Sequence, residues 1–218
     1  MHSSQFGKIL KIMEAEARKR GAPVFKVESA KRTPFQALVF VMLSARTKDN
    51  TTLKAVERLF KVAKTPESIS KLRTSRLETL LYGVGFYRAK AKNLKRTSKL
   101  LVEKFNSRVP DTLEELLTLP GIGRKSANII LNSVFKKHAI GVDTHVHRLS
   151  NRLGIVKTKK PEQTEKELMR KIPKKHLRNL NKMFVAYGQT VCVPISPYCS
   201  TCKLRGKYCP QRGVNKFR

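Results

Sequence analysis

The chain has 218 residues, a length that forms one large domain or two small ones and buries an apolar core without disulfide staples. Its 47 lysines and arginines against 15 aspartates and glutamates give a formal net charge of +32, which calls for a polyanionic partner. Because 40% of the residues are hydrophobic, the composition excludes a disordered basic tail, and no apolar run reaches the roughly 20 residues of a membrane span.

The helix period dominates the chain. Thr33 and Gln36 form a predicted capping box around Pro34, which favours the first turn of a helix. The following residues, 37–43, are apolar on nearly every face, so this helix should be central and buried.

A second capping box is predicted at Asp111 and Glu114, opening a short helix that ends at Leu119 before Pro120. Neither repeats nor a low-complexity linker interrupts the pattern, and no segment alternates with period two for long. The sequence therefore predicts an all-α protein. The other predicted helices are 51–62, 66–72, 75–82, 87–105, one from 124, one from 143 to 154, 161–171 and 174–187, with a brief extended link at 139–142.

The segment 116–127 predicts two helices joined by a tight glycine turn. Gly121 and Gly123 flank Ile122, so the backbone can turn sharply while Ile122 points inward and N–H groups at the next helix start face outward. With Arg124 beside it, such a hairpin would hold a phosphate through its backbone and position DNA without reading its sequence. An ordinary corner between two helices is the alternative interpretation.

Two ionisable residues stand at predicted helix starts. Lys125 follows the hairpin, where the helix dipole and the Arg124 guanidinium both disfavour an ammonium, and a neutral amine is a nucleophile. A lysine in so basic a chain is more often a phosphate contact. Asp143 is a predicted N-cap whose backbone hydrogen bonds favour the carboxylate, and from spacing alone a plain cap is the simpler interpretation. His145 and His147 are two residues apart and so cannot share a helix face as a metal pair.

Four cysteines lie within 18 residues near the C-terminal end, with intervals of six, two and six residues: Cys192, Cys199, Cys202 and Cys209. In a chain without a secretory signal, which should stay in a reducing compartment, clustered thiols predict metal ligands before disulfides. One close pair flanked by two distant cysteines fits either a [4Fe–4S] cluster or structural zinc. The single short pair favours the cluster, since many zinc sites use two.

Taken together, the Leu119–Ala127 hairpin, the Gly141–Asp143 segment and the four cysteines resemble the endonuclease III family of the helix-hairpin-helix DNA glycosylase superfamily. Segments 43–49 and 85–91 match the family in the same order, so the resemblance covers nearly the whole chain. It implies an all-α, two-domain helix-hairpin-helix glycosylase fold. A six-helix barrel domain of residues 27–137 would interrupt a second domain, formed by 1–26 and 138–218, that carries the iron–sulfur cluster loop.

The resemblance also implies roles for residues. Lys125 would be the catalytic lysine and Asp143 the catalytic aspartate; the DNA contacts would be Arg46, Gly121, Ile122, Gly123 and Arg124, and the [4Fe–4S] ligands Cys192, Cys199, Cys202 and Cys209. The implied activity is a bifunctional DNA glycosylase and AP lyase of base excision repair. It would act on double-stranded DNA with oxidised pyrimidines such as thymine glycol, or with abasic sites, through a lysine Schiff base and β-elimination.

Two positions depart from the family pattern. The last cysteine interval is one residue longer than usual, so zinc stays open as the less favoured metal. Arg46 stands where the family commonly has a glutamine that enters the helix and faces the orphaned base; Arg46 would fill that gap or hold a phosphate.

The sequence is also compatible with two other functions. One is a glycosylase for thymine or uracil opposite guanine, which would use an aspartate-activated water. The other is a helix-hairpin-helix DNA-binding module without chemistry. For any of these we expect a monomer that does not associate with membranes, in the cytoplasm at the nucleoid or, in a eukaryote, in the nucleus.

Overall fold

A computed structural model of the protein describes residues 3–25 and 32–218. Within these ranges the chain is helical and contains no strand, and an isolated bridge joins Arg205 and Cys209. The all-α prediction is confirmed for the described residues. The predicted domain boundary between residues 26 and 27 lies outside them. None of the described helices combines the length and the apolarity needed to cross a membrane.

The helices are α1 (Ser3–Lys19), α2 (Pro34–Ser44), α3 (Asp49–Val62), α4 (Pro66–Lys71), α5 (Thr74–Leu80), α6 (Tyr87–Lys104), α7 (Leu113–Thr118), α8 (Arg124–Ser133), α9 (Thr144–Arg152), α10 (Pro161–Lys171) and α11 (Lys174–Thr190), with a short 3-10 turn at Pro23–Phe25.

The chain divides into two compact units. The first consists of Met1–Ser29 with His138–Arg218, and the second of Ala30–Lys137. In the first unit, α11 packs against α1 and α9 around fully buried side chains such as Phe6, Met13 and Phe184. The cysteine segment follows α11 in the same unit.

The second unit is built around α2 and α6. Helix α2 contacts α3, α6 and α8, and α6 also packs against α4 and α5. Leu38 and Leu43 of α2 and Leu94 and Leu101 of α6 are fully buried. The predicted central position of α2 is confirmed, because its apolar residues face several neighbours at once.

The helix starts follow the side-chain chemistry of their caps. Thr33 accepts a hydrogen bond from the Gln36 backbone N–H, and the Gln36 side chain accepts one from the Thr33 N–H at 3.0 Å, which confirms the predicted box. The cap predicted at Asp111 is wrong by one residue. Thr112 caps α7, because its hydroxyl accepts the Glu115 N–H at 3.3 Å and also donates to the Glu115 carboxylate.

Candidate functional site

The glycine hairpin between α7 and α8 adopts the predicted tight turn. Gly121 has a φ of +85°, in the left-handed region that favours glycine, and the Ile122 side chain is only 6% exposed. A Cβ on Gly121 would lie 3.1 Å from Nδ2 of Asn93 on α6, so the hairpin sits tightly against that helix. A Cβ on Gly123 would meet nothing within 4 Å. One side of the hairpin is therefore packed, and the other is open.

Lys125 lies in the first turn of α8 and is exposed, as is Arg124. The N-cap residue is Gly123, which provides no side chain to cap the helix start. The positive end of the α8 dipole therefore acts at the two cationic residues. The second unit thus presents an exposed lysine in the first turn after the hairpin.

Asp143 is the N-cap of α9 in the first unit. Its Oδ1 accepts the Val146 N–H at 2.8 Å, and its own carbonyl accepts the His147 N–H at 2.8 Å. Asp143 is half-buried, and the hydrogen bond from the Val146 N–H orients its carboxylate at the helix start. His147 contacts the Thr164 hydroxyl at 2.6 Å, while His145 lies 3.1 Å from Arg148, so the two histidines face different partners.

Arg46 follows α2 in an unusual backbone conformation. Its φ is +53°, and its guanidinium lies 5.6 Å from the ring centroid of Phe86. Phe86, just before α6, has a φ of +58° and is 64% exposed. Each of these left-handed residues costs about 1 kcal/mol, because neither is glycine. The result is an exposed pair of a cation and an aromatic ring on the second unit.

Lys90 and Gly85 connect the segment that carries Arg46 to the segment that carries Phe86. Neither residue was singled out as functional from the sequence. The Lys90 ammonium donates to the carbonyls of Leu43 and Ala45, at 2.8 and 2.5 Å, and to the Thr47 hydroxyl at 3.0 Å. A Cβ on Gly85 would lie 2.6 Å from the Arg46 carbonyl oxygen, so only glycine allows this close approach. The sequence signals were the match of segment 85–91 to the family and Gly85 itself, next to an aromatic residue at a helix start.

The four cysteines line one cavity in the first unit, and its other walls are largely apolar, among them Met13, Leu149 and Leu204. None of the four forms a disulfide. Burial raises the pKa of the Cys192 thiol, and it raises the pKa of Cys209 to about 11. In the described part of the chain, no three His, Cys, Asp or Glu side chains are arranged as ligands of a metal ion. Four thiols on one apolar cavity nevertheless form a donor set suited to a thiophilic centre.

Hydrogen-bond donors approach the cysteine sulfurs from two helices and from the backbone. Arg152 of α9, only 8% exposed, points its Nη1 at the Cys192 Sγ at 3.4 Å. The Tyr187 hydroxyl of α11 lies 3.1 Å from the Cys202 Sγ, and the Gln211 N–H donates to the Cys209 Sγ at 3.4 Å. Such donors stabilise sulfur that carries negative charge.

The loop that contains the last three cysteines is basic on its outer side. Lys203, Arg205 and Lys207 are exposed, and Leu204 among them is buried. The Arg205 guanidinium lies 4.6 Å from the Phe217 ring centroid, which ties the loop to the end of the chain. The loop therefore presents a cationic surface on a fixed backbone.

Comparison with known proteins places this geometry in a family. Residues 39–174 match the HhH-GPD superfamily of base excision DNA repair proteins. Endonuclease III of Thermotoga maritima is 46% identical over 187 residues, covering 85% of this chain and 88% of that protein.

Two solved structures are similar over nearly the whole chain. A non-covalent endonuclease III–DNA complex has a TM-score of 0.83 and 32% identity, covering 97% of this chain and 96% of that one. A trapped covalent intermediate of endonuclease III with DNA, described as an estranged-adenine complex, has a TM-score of 0.83 and 33% identity, covering 97% of each chain.

Proposed function

The chain belongs to the HhH-GPD superfamily of base excision DNA repair proteins, and from that premise we propose its substrates, catalytic residues and cofactor. It is a DNA glycosylase with AP lyase activity that binds damaged double-stranded DNA. The substrates that we propose are oxidised, ring-saturated pyrimidines such as thymine glycol, together with abasic sites. The observation that carries the proposal is the exposed amine of Lys125 in the first turn after the glycine hairpin.

The proposed reaction begins when the damaged base leaves the stack, which costs a few kcal/mol and less for a lesion that stacks or pairs badly. The neutral Lys125 amine attacks C1′ of the deoxyribose, and the bond from C1′ to the base breaks with the base as leaving group. One amine proton goes to the departing base, and the other goes to the ring oxygen O4′ as the C1′–O4′ bond breaks, so that the product is an imine between Lys125 and C1′ of the opened sugar. The imine acidifies the C2′ proton, and loss of that proton breaks the C3′–O3′ bond with the 3′ phosphate as leaving group, which cleaves the strand on the 3′ side.

Asp143 supplies a fixed negative charge in this scheme. The hydrogen bond from the Val146 N–H orients its carboxylate at the start of α9. An oriented anion stabilises the positive charge that builds on the sugar as the base departs, with no reorganisation at that moment.

We assign DNA-backbone contacts to the hairpin and contact with the opposite strand to Arg46. The open side of Gly123 lets a phosphate approach the backbone, and Arg124 adds a cation beside it. Arg46 is exposed next to Phe86, as a side chain that fills a gap in the stack has to be. In domain terms, we assign Lys125 to a barrel domain of residues 27–137, and Asp143 to a domain of 1–26 and 138–218.

For the cysteine site we propose a [4Fe–4S] cluster held by Cys192, Cys199, Cys202 and Cys209, with zinc as the less favoured alternative. The common apolar cavity and the donors aimed at three of the sulfurs support four thiolate ligands. When bound, the cluster would fold the basic loop around Lys203, Arg205 and Lys207 for contact with phosphates. Iron and sulfide analysis of the purified protein tests this assignment; one zinc per chain without iron would contradict it.

We propose that the protein acts as a monomer in the compartment that holds its DNA, which is the cytoplasm at the nucleoid or, in a eukaryote, the nucleus. The polyanionic partner that the charge of +32 requires is then the DNA itself.

Turnover on defined duplexes tests the proposed substrate. We expect the purified protein to release the base and nick the strand on a duplex with one thymine glycol, and to nick a duplex with one abasic site. A duplex with thymine opposite guanine should react at least about a hundredfold more slowly. Base release from the mismatch without strand cleavage would support the water-using mismatch glycosylase instead, and binding without any product would support the non-catalytic module.

A further inference from the structure

Lys90 is a partly buried cation whose ammonium forms hydrogen bonds within the second unit. Its Nζ donates to three acceptors in the segment at the end of α2 and just beyond it, all of them within 3.0 Å: the carbonyls of Leu43 and Ala45 and the hydroxyl of Thr47. Partial burial lowers the pKa of Lys90 to about 8, so the ammonium is still the main form at neutral pH. This lysine thus links two segments that are more than 40 residues apart in the chain.

The two segments that Lys90 links carry the exposed side chains of Arg46 and Phe86. Arg46 lies between two of the Lys90 acceptors, Ala45 and Thr47. The Thr47 hydroxyl also accepts the Gly85 N–H at 3.1 Å, and Gly85 is the residue before Phe86. Left-handed residues such as Arg46 and Phe86 persist only where the surroundings determine them, and the Lys90 contacts belong to those surroundings.

Helix α6, which carries Lys90, also contacts the glycine hairpin between α7 and α8. Asn93 of α6 lies against Gly121, and the Thr97 hydroxyl donates to the Pro120 carbonyl at 3.0 Å. Positions 90, 93 and 97 share one face of α6, since residues three, four and seven apart are neighbours on a helix. Lys90 and Thr97 are seven residues apart, which is about 10 Å along the helix axis. Helix α6 therefore sets a fixed distance between the Arg46–Phe86 pair and the phosphate-binding hairpin.

We propose that Lys90 is a positioning residue, which fixes Arg46 and Phe86 at a set distance from the hairpin so that the pair meets the duplex where the damaged base has left it. The inference rests on the proposed function and deepens it. Lys90 acts through Arg46 and Phe86 and does not touch the reacting atoms. It should therefore matter most for the step in which a base leaves the stack, and less for a site that has already lost its base.

The test compares Lys90→Met with Lys92→Met, because Lys92 is an exposed lysine two residues further along the same helix. Single-turnover rates are measured on a thymine glycol duplex and on a preformed abasic duplex. We expect Lys90→Met to slow base excision at least about tenfold while abasic-site cleavage falls less than about threefold. Lys92→Met should leave the ratio of the two rates unchanged. An equal loss on both substrates would mean a merely structural lysine and would overturn the inference.

A double-mutant cycle tests the route through Arg46. If Lys90 acts by positioning Arg46, then Lys90→Met should change the ratio of the two rates much less in an Arg46→Ala background than in the native protein. Full additivity of the two changes would contradict this route. Should Lys90→Met fail to fold, Thr47→Val removes one acceptor of the same network and should shift the ratio in the same direction by a smaller factor.

The outcomes separate the two proposals. If the native protein gives no product on either duplex, the proposed function fails and the inference falls with it. If the native protein is active and Lys90→Met has the native ratio, only the positioning inference fails.

Discussion

Lys125 and Asp143 both stand at the start of a helix, Lys125 in the first turn of α8 and Asp143 at the N-cap of α9. The positive end of a helix dipole disfavours an ammonium and favours a carboxylate. The same backbone feature, a helix start, therefore places both side chains.

Substitution of Asp143 separates its charge from its role as a cap. Asparagine caps a helix about as well as aspartate, so Asp143→Asn should keep the free energy of unfolding within a few tenths of a kcal/mol, whereas Asp143→Ala should lower it by about 1 kcal/mol. Both variants should slow base excision by at least about a hundredfold, since the oriented charge is gone. Chemical denaturation and single-turnover excision measure the two effects. Excision at the native rate by Asp143→Asn would rule out the electrostatic role.

The two glycines of the hairpin differ in the space around them: Gly121 is packed against α6, and Gly123 has no neighbouring atom where a Cβ would lie. Gly121 combines a φ of +85° with a close approach to Asn93, while Gly123 has an ordinary φ of −99° and open space where its Cβ would be. The first glycine is thus needed for the fold, and the second is needed only if a ligand approaches the backbone there.

A matched pair of alanine variants checks this division. Gly121→Ala should lower the free energy of unfolding by about 1–2 kcal/mol, because alanine is strained at that φ. Gly123→Ala should leave stability nearly unchanged and yet weaken DNA binding, because its Cβ would occupy the space of the phosphate. Thermal unfolding and DNA titration of both variants provide the measurements. Native affinity in Gly123→Ala would argue against backbone contact with a phosphate at this position.

Local features of the fold could be predicted from the sequence, because their causes lie within a few residues. The Thr33 capping box and the Gly121 turn are examples, and the Asp143 cap is another. The Asp111 cap was misplaced because Thr112 and Glu115 satisfy the same pattern one residue later. The sequence locates such a helix start only to within one or two residues, since neighbouring polar residues compete for the same N–H groups.

The long-range contacts could not be predicted. Nothing in the sequence indicates that Lys90 reaches the carbonyl of Leu43, 47 residues away, or that Arg46 and Phe86 adopt left-handed conformations. The cysteine spacing predicted that four thiols belong together. It did not predict that Arg152 of α9 and Tyr187 of α11 would point at their sulfurs. These contacts depend on tertiary packing, which pattern and propensity do not encode locally.

At the scale of the whole molecule, the charge of +32 predicts how DNA binding responds to salt. If Z phosphates are neutralised, the logarithm of the association constant should fall against the logarithm of salt concentration with a slope near −0.9Z, and we expect Z to be several. Arg124→Ala should reduce the slope by about one contact. Arg170→Ala is the control, because Arg170 is already paired with Glu167 at 3.0 Å. A flat salt response would contradict binding to the DNA backbone.

Borohydride trapping shows whether Lys125 forms a covalent imine with the sugar of a damaged nucleotide. Native protein, Lys125→Ala and a control, Lys54→Ala at an exposed lysine of α3, are incubated with a thymine glycol duplex and borohydride. Denaturing gels then report the covalent adduct. We predict an adduct from the native protein and from Lys54→Ala and none from Lys125→Ala. An adduct of native yield from Lys125→Ala, or base release by the native protein with no adduct at all, would contradict imine formation by Lys125.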